Sequence, residues 1–167
     1  LFVYTGGATV ACGKAGASVC HVDSAKAMVE RAGENVALSK VENPKVRYII
    51  DDCKKFVERE IRRGRKYDAI IMDPPSYGRG PNGETWKIGE ELYPLVELCA
   101  KLLSDNPLFF LINSYTTGLQ PAVLKNILNK TVANSRGGKV DAYEVGLKTQ
   151  EEGVILPCGN SGIWING

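Results

Sequence analysis

Short apolar runs alternate along this chain with amphipathic stretches, and this alternation limits most strongly how the chain can fold. The apolar runs predict strands at residues 1–4, 18–22, 46–50, 67–72 and 108–112. Helical spacing of apolar residues predicts helices at residues 8–15, 25–38, 53–63, 90–103 and 121–128. Five successive β–α alternations are typical of a parallel sheet with helices on both faces.

The end of the chain departs from this alternation. Short β segments are predicted at residues 140–145, 153–156 and 162–165, around a turn at residues 158–160. Because no helical spacing separates them, we expect antiparallel pairing there. The whole pattern predicts an α/β fold: a Rossmann-like, doubly wound, mostly parallel sheet with an antiparallel C-terminal hairpin.

The composition is that of a globular protein, and it excludes several classes of protein. The 167 residues include 21 Lys and Arg and 19 Asp and Glu, which gives a net charge of +2, and 44% are hydrophobic. Disordered chains are less hydrophobic and more highly charged, and histone-like tails are strongly basic. No apolar run approaches the roughly 20 residues that span a bilayer, so we predict that the protein is not a membrane protein.

The cysteines and the histidine offer no spacing typical of a metal site. The five cysteines are odd in number and scattered, without a CxxC pair: Cys12, Cys20, Cys53, Cys99 and Cys158. His21 is the single histidine, so the ligand pattern of a zinc site is missing. This pattern favours reduced thiols and predicts a cytoplasmic protein without a bound metal.

The carboxyl ends of the strands are where such sheets bind ligands. The candidate cofactor-binding residues at these ends are Tyr4, Thr5, Gly6, Gly7, Ala8, Asp23, Ser24, Asp52 and Cys53. A Gly-Gly turn before a helix lets an anionic group approach free N–H groups, although a tight turn without a ligand fits equally well. The GxGxxG and GxxxxGK[ST] patterns are absent, which disfavours hydrolysis of nucleoside triphosphates.

Two carboxylates at these strand ends are suited to a nucleoside. Asp23 can accept hydrogen bonds from both ribose hydroxyls, as in NAD sites, or can cap the next helix. Asp52 can accept from an adenine amino group while the Cys53 N–H donates to the ring. The alternative for Asp52 is an N-cap of the following helix, which is compatible with the first role. Asp51 is the fallback for the adenine contact.

The segment Asp73-Pro74-Pro75-Ser76-Tyr77 is the most specific signal in the chain. Two prolines fix the backbone and leave carbonyl acceptors without N–H donors. A carboxylate beside them forms a pocket for a planar group that bears N–H, and Tyr77 supplies a stacking face for a flipped base. A bare Pro-Pro turn is the alternative. We predict Asp73, Pro74, Pro75 and Tyr77 as catalytic residues that contact this base.

The loop predicted at residues 73–87 is long enough to guide a substrate. Arg79, Trp86 and Lys87 within it are candidates for contact with that substrate. A separate basic cluster leaves two interpretations open, contact with RNA phosphates or stabilisation of a helix C-terminus, and consists of Arg59, Arg62, Arg63, Arg65 and Lys66.

Taken together, these motifs resemble those of the class I S-adenosylmethionine-dependent methyltransferases, and most closely the branch that methylates large-subunit rRNA. The resemblance is carried by LFVYTGGATV at residues 1–10, KAGA at 14–17, VDS at 22–24, DDC at 51–53 and DPPSY at 73–77. It implies a seven-stranded sheet whose last strand is antiparallel, S-adenosylmethionine as the cofactor, and RNA, in particular rRNA, as the substrate.

The resemblance also implies a role for each motif. Residues 4–8 would hold the methionine part of the cofactor, Asp23 the ribose, and Asp52 with Cys53 the adenine. Asp73 would lie beside the sulfonium, and Pro74, Pro75 and Tyr77 would face the acceptor base.

The resemblance further implies that residues 1–167 form one methyltransferase catalytic domain. Residue 1 falls within the first predicted strand, and relatives carry additional substrate-recognition structure before it. We therefore expect such a region to precede residue 1, and the charge of +2 then describes the catalytic part alone.

The absence of a cysteine after the fifth predicted strand bears on which atom of the base is methylated. Relatives that methylate cytosine C5 are expected to use a cysteine in the loop after the fifth strand, and residues 113–118 contain none. Methylation of a base nitrogen is therefore expected rather than of C5. Two other functions stay open: an NAD-dependent oxidoreductase, although GxGxxG is absent, and a non-catalytic RNA-binding module.

Overall fold

The computed structural model describes residues 1–41, 45–79 and 85–167. The chain divides into two compact units, Leu1–Arg59 and Glu60–Gly167. The elements that begin in the first unit are α1 (Gly7–Lys14), β1 (Val19–Asp23), α2 (Lys26–Leu38), β2 (Val46–Ile50) and α3 (Cys53–Arg62).

The first unit is organised on two parallel strands. β1 and β2 pair in parallel, with Val19 opposite Val46 and Asp23 opposite Ile50. One face of α2 is buried because apolar residues recur at intervals of three and four along it. The buried apolar side chains of this unit are Val22, Val29, Ala32, Val36, Val41, Cys53, Phe56 and Val57.

The second unit contains two further sheets. Its strands are β3 (Ala69–Met72), β4 (Tyr77–Arg79), β5 (Thr85–Lys87), β6 (Phe109–Ser114), β7 (Lys139–Lys148) and β8 (Ile155–Ile165). Four of them form one sheet in the order β3-β6-β8-β7, and β4 pairs with β5. β3 and β6 are parallel, whereas β8 is antiparallel to both β6 and β7.

The helices of the second unit cover this sheet with apolar side chains. They are α4 (Ile88–Ala100), α5 (Pro121–Leu128), a π-helical segment (Asn129–Ala133) and α6 (Asn134–Arg136). The largest fully buried apolar side chains are Trp164, Phe110, Met72, Leu92, Leu95, Leu103, Ile112, Leu124 and Leu128. Within the described ranges, no helix is long and apolar enough to cross a membrane.

The predicted α/β pattern is confirmed, with parallel strands first and an antiparallel pair at the end. The described residues form a parallel pair and a mixed sheet of four strands.

The strand predicted at residues 1–4 is wrong. Phe2 and Tyr4 have φ angles of +55° and +47°, which are incompatible with an extended strand. The Gly6 N–H instead donates to the Val3 carbonyl at 3.0 Å, which closes a turn. Tyr4 is held in this turn because its backbone N–H donates to the Asp23 carboxylate. The apolar run could not reveal this turn, because the turn depends on backbone hydrogen bonds to Val3 and Asp23.

The prediction of three short segments at the C-terminus is also wrong. The chain forms two long strands, β7 and β8, which pair from Lys139–Ile165 to Lys148–Ile155. The turn predicted at residues 158–160 lies inside β8, because Gly159 and Asn160 pair across the ladder with Val145 and Glu144. A register shift after Val145 absorbs the irregularity that the Cys-Gly-Asn sequence introduces.

The predicted loop at residues 73–87 contains a short hairpin, which is a partial correction. Tyr77 pairs with Lys87, and Arg79 pairs with Thr85. Residues 80–84 of the predicted loop lie outside the described residues. The π-helical segment and α6 were not predicted, since residues 129–136 show no apolar periodicity of their own.

Candidate functional site

Gly6 shapes the turn that leads into α1. It has a φ of +85°, in the left-handed region that favours glycine. A Cβ on Gly6 would lie 2.8 Å from the Cβ of Ala32 on α2, which is too close. Glycine is therefore required here both for the backbone angle and for the approach of α2, independently of any ligand. Gly7 and Ala8, the neighbouring candidates, are the first two residues of α1.

The Asp23 carboxylate lies at the end of β1 and organises the backbone around it. Its Oδ2 accepts the Tyr4 N–H at 3.2 Å, and its Oδ1 accepts the Ala25 N–H at 2.9 Å. An ionised carboxylate has about four acceptor positions, so each oxygen retains one for a further donor. Asp23 therefore joins the Tyr4 turn to the start of α2 and can still accept from hydroxyl groups. Ser24, the adjacent candidate, is exposed.

Asp51 and Asp52 make different contacts at the start of α3. Asp52 Oδ1 accepts the Lys55 N–H at 2.9 Å, so the predicted helix-capping role of Asp52 is present. Asp51 Oδ1 accepts the Asp52 N–H at 2.9 Å, and its Oδ2 forms an ion pair of 2.5 Å with Arg59. Because Asp51 is engaged by Arg59, Asp52 remains the better candidate for contact with a ligand.

The Cys53 side chain is part of the core. It is buried, and its Sγ lies 4.0 Å from the Val22 carbonyl oxygen. Burial raises the pKa of the Cys53 thiol to about 12, so the thiol stays protonated at neutral pH. Only the backbone of Cys53 suits the predicted ligand contact.

His21 is a buried histidine that the sequence reasoning gave no role. Its Nδ1 lies 2.9 Å from the Thr9 hydroxyl, and its ring centre lies 5.7 Å from that of Tyr48. Its Nε2 has no hydrogen-bond partner among the described residues. Burial lowers the pKa of His21, so the neutral ring is favoured and His21 connects β1 to α1 without carrying charge.

The Asp-Pro-Pro turn follows β3 in the second unit. Asp73 is half-buried, Pro74 is buried, and Pro75 is exposed. Burial raises the pKa of Asp73, which makes its carboxylate more basic than a surface aspartate. Tyr77 is 52% exposed, and its hydroxyl accepts a hydrogen bond of 3.0 Å from Arg79 Nε. The turn thus presents a carboxylate and an exposed aromatic ring from one short segment.

Three hydrogen bonds fix this turn from outside. The Trp86 indole donates to the Pro75 carbonyl at 2.6 Å, and the Ile88 N–H donates to the Ser76 carbonyl at 3.1 Å. The Ser76 and Thr116 hydroxyls are 2.7 Å apart. Trp86 takes one of the two acceptor positions of the Pro75 carbonyl. The Asp73 carboxylate and the Pro74 carbonyl stay the predicted acceptors for the substrate.

Trp86 and Thr116 therefore support the turn. From the sequence, Trp86 was predicted only to contact the substrate, because it lies in a Pro- and Gly-rich segment. Thr116 could have been found from its position just after β6, since neighbouring parallel strands end at the same edge of a sheet.

The basic residues are partly engaged within the protein. Arg59 pairs with Asp51 and lies 5.8 Å from the centre of the Phe56 ring. In the second unit, Arg63 pairs with Glu60 at 3.2 Å, and Lys66 donates to the Lys101 carbonyl at 2.8 Å. Of these three residues, only Lys66 contacts the end of a helix, since Lys101 is the C-cap of α4.

The predicted site residues are thus distributed over both units. Tyr4 to Ala8, Asp23, Ser24, Asp52 and Cys53 belong to the first, and the Asp-Pro-Pro-Ser-Tyr segment belongs to the second. In the part of the chain that the structure describes, no group of three or more His, Cys, Asp or Glu could hold a metal ion.

The chain is similar to three methyltransferases. It is 32% identical to a SAM-dependent methyltransferase from Agrobacterium tumefaciens, with a TM-score of 0.93 over 100% of this chain and 55% of that one. It is 31% identical over 117 residues to the ribosomal RNA large subunit methyltransferase K/L of Syntrophotalea carbinolica. It is 38% identical over 77 residues to the ribosomal RNA large subunit methyltransferase I of Escherichia coli.

The two rRNA methyltransferases are much longer than this chain. The matches cover 69% and 46% of this chain but only 16% and 19% of those proteins. No family model matches the chain.

Proposed function

From the premise that this chain is related to the class I S-adenosylmethionine-dependent methyltransferases and resembles their large-subunit rRNA branch, we propose that it transfers a methyl group from S-adenosylmethionine to a base of RNA. The substrate class we propose is rRNA, because two relatives are named for that activity. The proposed acceptor atom is a nitrogen of the base.

The observation that carries this proposal is the turn after β3. It combines a half-buried carboxylate of raised pKa, two proline carbonyls, and an exposed tyrosine within residues 73–77. A carboxylate and a carbonyl are acceptors that suit the N–H groups of a base, and an aromatic face suits its ring. Trp86 and Thr116 hold this arrangement rigid before any substrate arrives.

The first unit offers residues that fit the cofactor. The Gly6 turn begins a helix whose free N–H groups favour a carboxylate, such as that of the methionine moiety. Asp23 retains acceptor capacity on both oxygens, which matches the two hydroxyls of a ribose. We propose that Tyr4, Thr5, Gly7 and Ala8 line the methionine moiety, that Ser24 lies beside the ribose, and that Asp52 and the Cys53 backbone contact the adenine.

The proposed reaction needs little covalent chemistry from the protein. S-adenosylmethionine, when bound, supplies a methyl group already activated by a sulfonium. The Asp73 carboxylate and the Pro74 carbonyl accept hydrogen bonds from the base and orient its nitrogen. Attack of the nitrogen lone pair on the methyl carbon would break the carbon–sulfur bond and release S-adenosylhomocysteine. The proton released from the nitrogen passes to the Asp73 carboxylate, whose raised pKa favours its uptake.

Methylation at nitrogen is favoured over cytosine C5 by the chemistry of the residues after β6. β6 ends at Ser114, Tyr115 and Thr116 follow it, and residues 113–118 contain no cysteine. The Cys158 thiol, which comes from β8, lies with its Sγ 3.4 Å from the Val145 carbonyl within the β7–β8 pair. A hydroxyl without a neighbouring base is a poor nucleophile for attack on a pyrimidine ring.

The proposal also includes three further features: the family's seven-stranded doubly wound sheet, a single catalytic domain over residues 1–167, and a cytoplasmic location.

The experiment is transfer of a labelled methyl group from S-adenosylmethionine to unmodified large-subunit rRNA transcribed in vitro. Nuclease digestion and mass analysis of the product identify the methylated atom. A methylated ring or amino nitrogen supports the proposal, and 5-methylcytosine would overturn the choice of atom. Asp73→Asn is expected to lower the rate by about 10²-fold, since a charge-assisted hydrogen bond and a proton acceptor are lost. Asp141→Asn, at an exposed position of β7, is the matched control.

A further inference from the structure

Tyr115 is an exposed aromatic residue directly after β6, at one of the strand ends where such sheets bind ligands. Its side chain is 59% exposed, although tyrosine offers a large apolar face that folding usually buries. It follows the strand that pairs in parallel with β3, and β3 leads into the Asp-Pro-Pro turn. The carboxyl ends of β3 and β6 therefore deliver Asp73 and Tyr115 to the same edge of the sheet.

The backbone of Gly159 supports the Tyr115 ring. A Cβ on Gly159 would lie 2.9 Å from Cδ1 and 3.3 Å from Cε1 of the Tyr115 ring. The first distance is shorter than real Cβ contacts and the second is tighter than most of them, so the ring lies directly against the glycine backbone. Because β8 pairs with β6 up to Ser114, this support comes from the centre of the four-stranded sheet. The ring is thereby held while much of its surface stays exposed.

A hydroxyl pair ties the segment that bears Tyr115 to the segment that bears Tyr77. The bonded hydroxyls belong to Ser76 and Thr116, 2.7 Å apart, and each is the chain neighbour of one of these tyrosines. The Thr116 N–H also donates to the Ser114 hydroxyl at 3.2 Å, which fixes the backbone on both sides of Tyr115. The two exposed rings thus project from segments that are joined by a hydrogen bond.

The pKa of the Tyr115 phenol is consistent with a position of Tyr115 near the Asp-Pro-Pro turn. Burial raises the pKa of the Tyr115 phenol, and the negative charges of Asp73 and Cys158 raise it further. The Tyr115 hydroxyl therefore keeps its proton at neutral pH and remains a hydrogen-bond donor.

We propose that Tyr115 binds the acceptor nucleobase by stacking, as a second aromatic wall beside Tyr77 and Asp73. This inference rests on the proposed function and deepens it, because it assigns the substrate as a base displaced from a helix or already unpaired. A base stacked within a duplex exposes no face to an aromatic side chain. A rigid exposed ring suits any of the four bases, so Tyr115 selects for an unpaired base rather than for its identity.

The test compares the wild type with Tyr115→Phe and Tyr115→Leu in methyl transfer to unmodified large-subunit rRNA. Tyr93→Leu, at a 41% exposed position of α4, is the matched control. Base–aromatic stacking contributes about 1–3 kcal/mol, so Tyr115→Leu is expected to raise the KM for RNA by about 5-fold to 150-fold. Tyr115→Phe keeps the ring and is expected to stay within about 3-fold of the wild type.

Binding of S-adenosylhomocysteine, measured by calorimetry, separates failure of this inference from failure of the proposed function. The inference predicts unchanged affinity in all three variants. Equal KM values for RNA in the wild type and Tyr115→Leu would overturn the stacking role while leaving the proposed function intact. A wild type that binds S-adenosylhomocysteine but methylates no rRNA would refute the rRNA substrate and this role with it.

Gly159→Ala provides an independent check. Its methyl group would meet the Tyr115 ring and the Ser114 carbonyl, at 2.9 Å and 2.7 Å. The inference predicts a rise in the KM for RNA in the same direction as for Tyr115→Leu. Additivity of the two effects in the double variant would contradict it, because residues that act through one ring are not additive.

Discussion

The indole nitrogen of Trp86 lies 2.6 Å from the carbonyl oxygen of Pro75 and donates a hydrogen bond to it. The bond connects the β4–β5 hairpin to the turn that follows β3. Because proline lacks an N–H, the Pro74–Pro75 pair cannot fix its own orientation through backbone donors. Trp86 is therefore a positioning residue for the Asp-Pro-Pro turn.

Replacement of this tryptophan tests the positioning role. Trp86→Phe keeps an aromatic ring but loses a hydrogen bond of about 1 kcal/mol, so we expect kcat for methyl transfer to fall by about 5-fold to 10-fold. The affinity for S-adenosylhomocysteine is expected to stay unchanged. The measurement is steady-state methyl transfer together with calorimetry.

The other tryptophan of the chain is the matched control. The Trp164 indole donates to the Gly137 carbonyl at 2.7 Å from within the core. Trp164→Phe is expected to lower the free energy of unfolding but not kcat per folded molecule. If both variants changed kcat equally, the effect of Trp86 would be general destabilisation rather than positioning.

Two neighbouring glycines give a second prediction. Gly6→Ala places a Cβ 2.8 Å from that of Ala32, at a φ of +85°. We expect a loss of about 1–3 kcal/mol in the free energy of unfolding, from the left-handed backbone and the close contact. Urea titration measures it.

Gly7→Ala is the control for this substitution. A Cβ on Gly7 would meet no heavy atom of the described residues within 4 Å, and Gly7 lies within α1. Alanine favours helix there, so the variant is expected to be as stable as the wild type or more stable. Equal losses in both variants would argue against a special requirement at Gly6.

Because His21 is buried, we expect the stability of the protein to depend on pH. Burial lowers its pKa in the folded state below the unfolded value of 6.5. Between these two values the unfolded chain binds more protons, so stability falls as pH decreases through 6.5 and is fully present above it. Urea titrations between about pH 5 and pH 8 detect this slope.

The histidine is the single one in the chain, which makes the assignment direct. His21→Phe retains a ring beside Tyr48 and removes the titrating group. The slope in this interval is expected to flatten in the variant. A slope that persisted unchanged in His21→Phe would assign the pH dependence to other groups.

We expect Cys53 to resist alkylation more than the other cysteines that are less buried. Its pKa of about 12 leaves on the order of 10⁻⁵ of the thiol ionised at neutral pH, and its side chain is buried. Iodoacetamide is expected to modify the half-buried Cys20 before Cys53 in the folded protein, as read by peptide mass analysis. Rapid labelling of Cys53 under native conditions would show that its surroundings open readily.

The order of the elements and the acidic or glycine-rich residues at strand ends were predictable, because periodicity and turn residues reflect local physics. The behaviour of Tyr4 was not, since its turn depends on the Asp23 carboxylate 19 residues away. The two long C-terminal strands escaped prediction for a similar reason. Pairing across β7 and β8 overrides the turn preference of Gly159 and Asn160.

In the candidate site, too, the motif could be predicted from the sequence but its supporting contacts could not. The Asp73–Tyr77 motif was evident from residue types, whereas its supports were not. Trp86 and Thr116 act through contacts between segments 11 and 40 residues apart in the chain. The support of Tyr115 by Gly159 likewise depends on the antiparallel pairing of β6 and β8.

Calorimetric titration with S-adenosylmethionine tests the central claim most directly. The account predicts binding by the wild type and a loss of at least about 10-fold in affinity for Asp23→Asn, which replaces one acceptor oxygen by an amide donor. Asp68→Asn, an exposed aspartate whose carboxylate accepts from Ser104, is expected to bind as the wild type does. Binding of NAD but of neither S-adenosylmethionine nor S-adenosylhomocysteine would contradict the account.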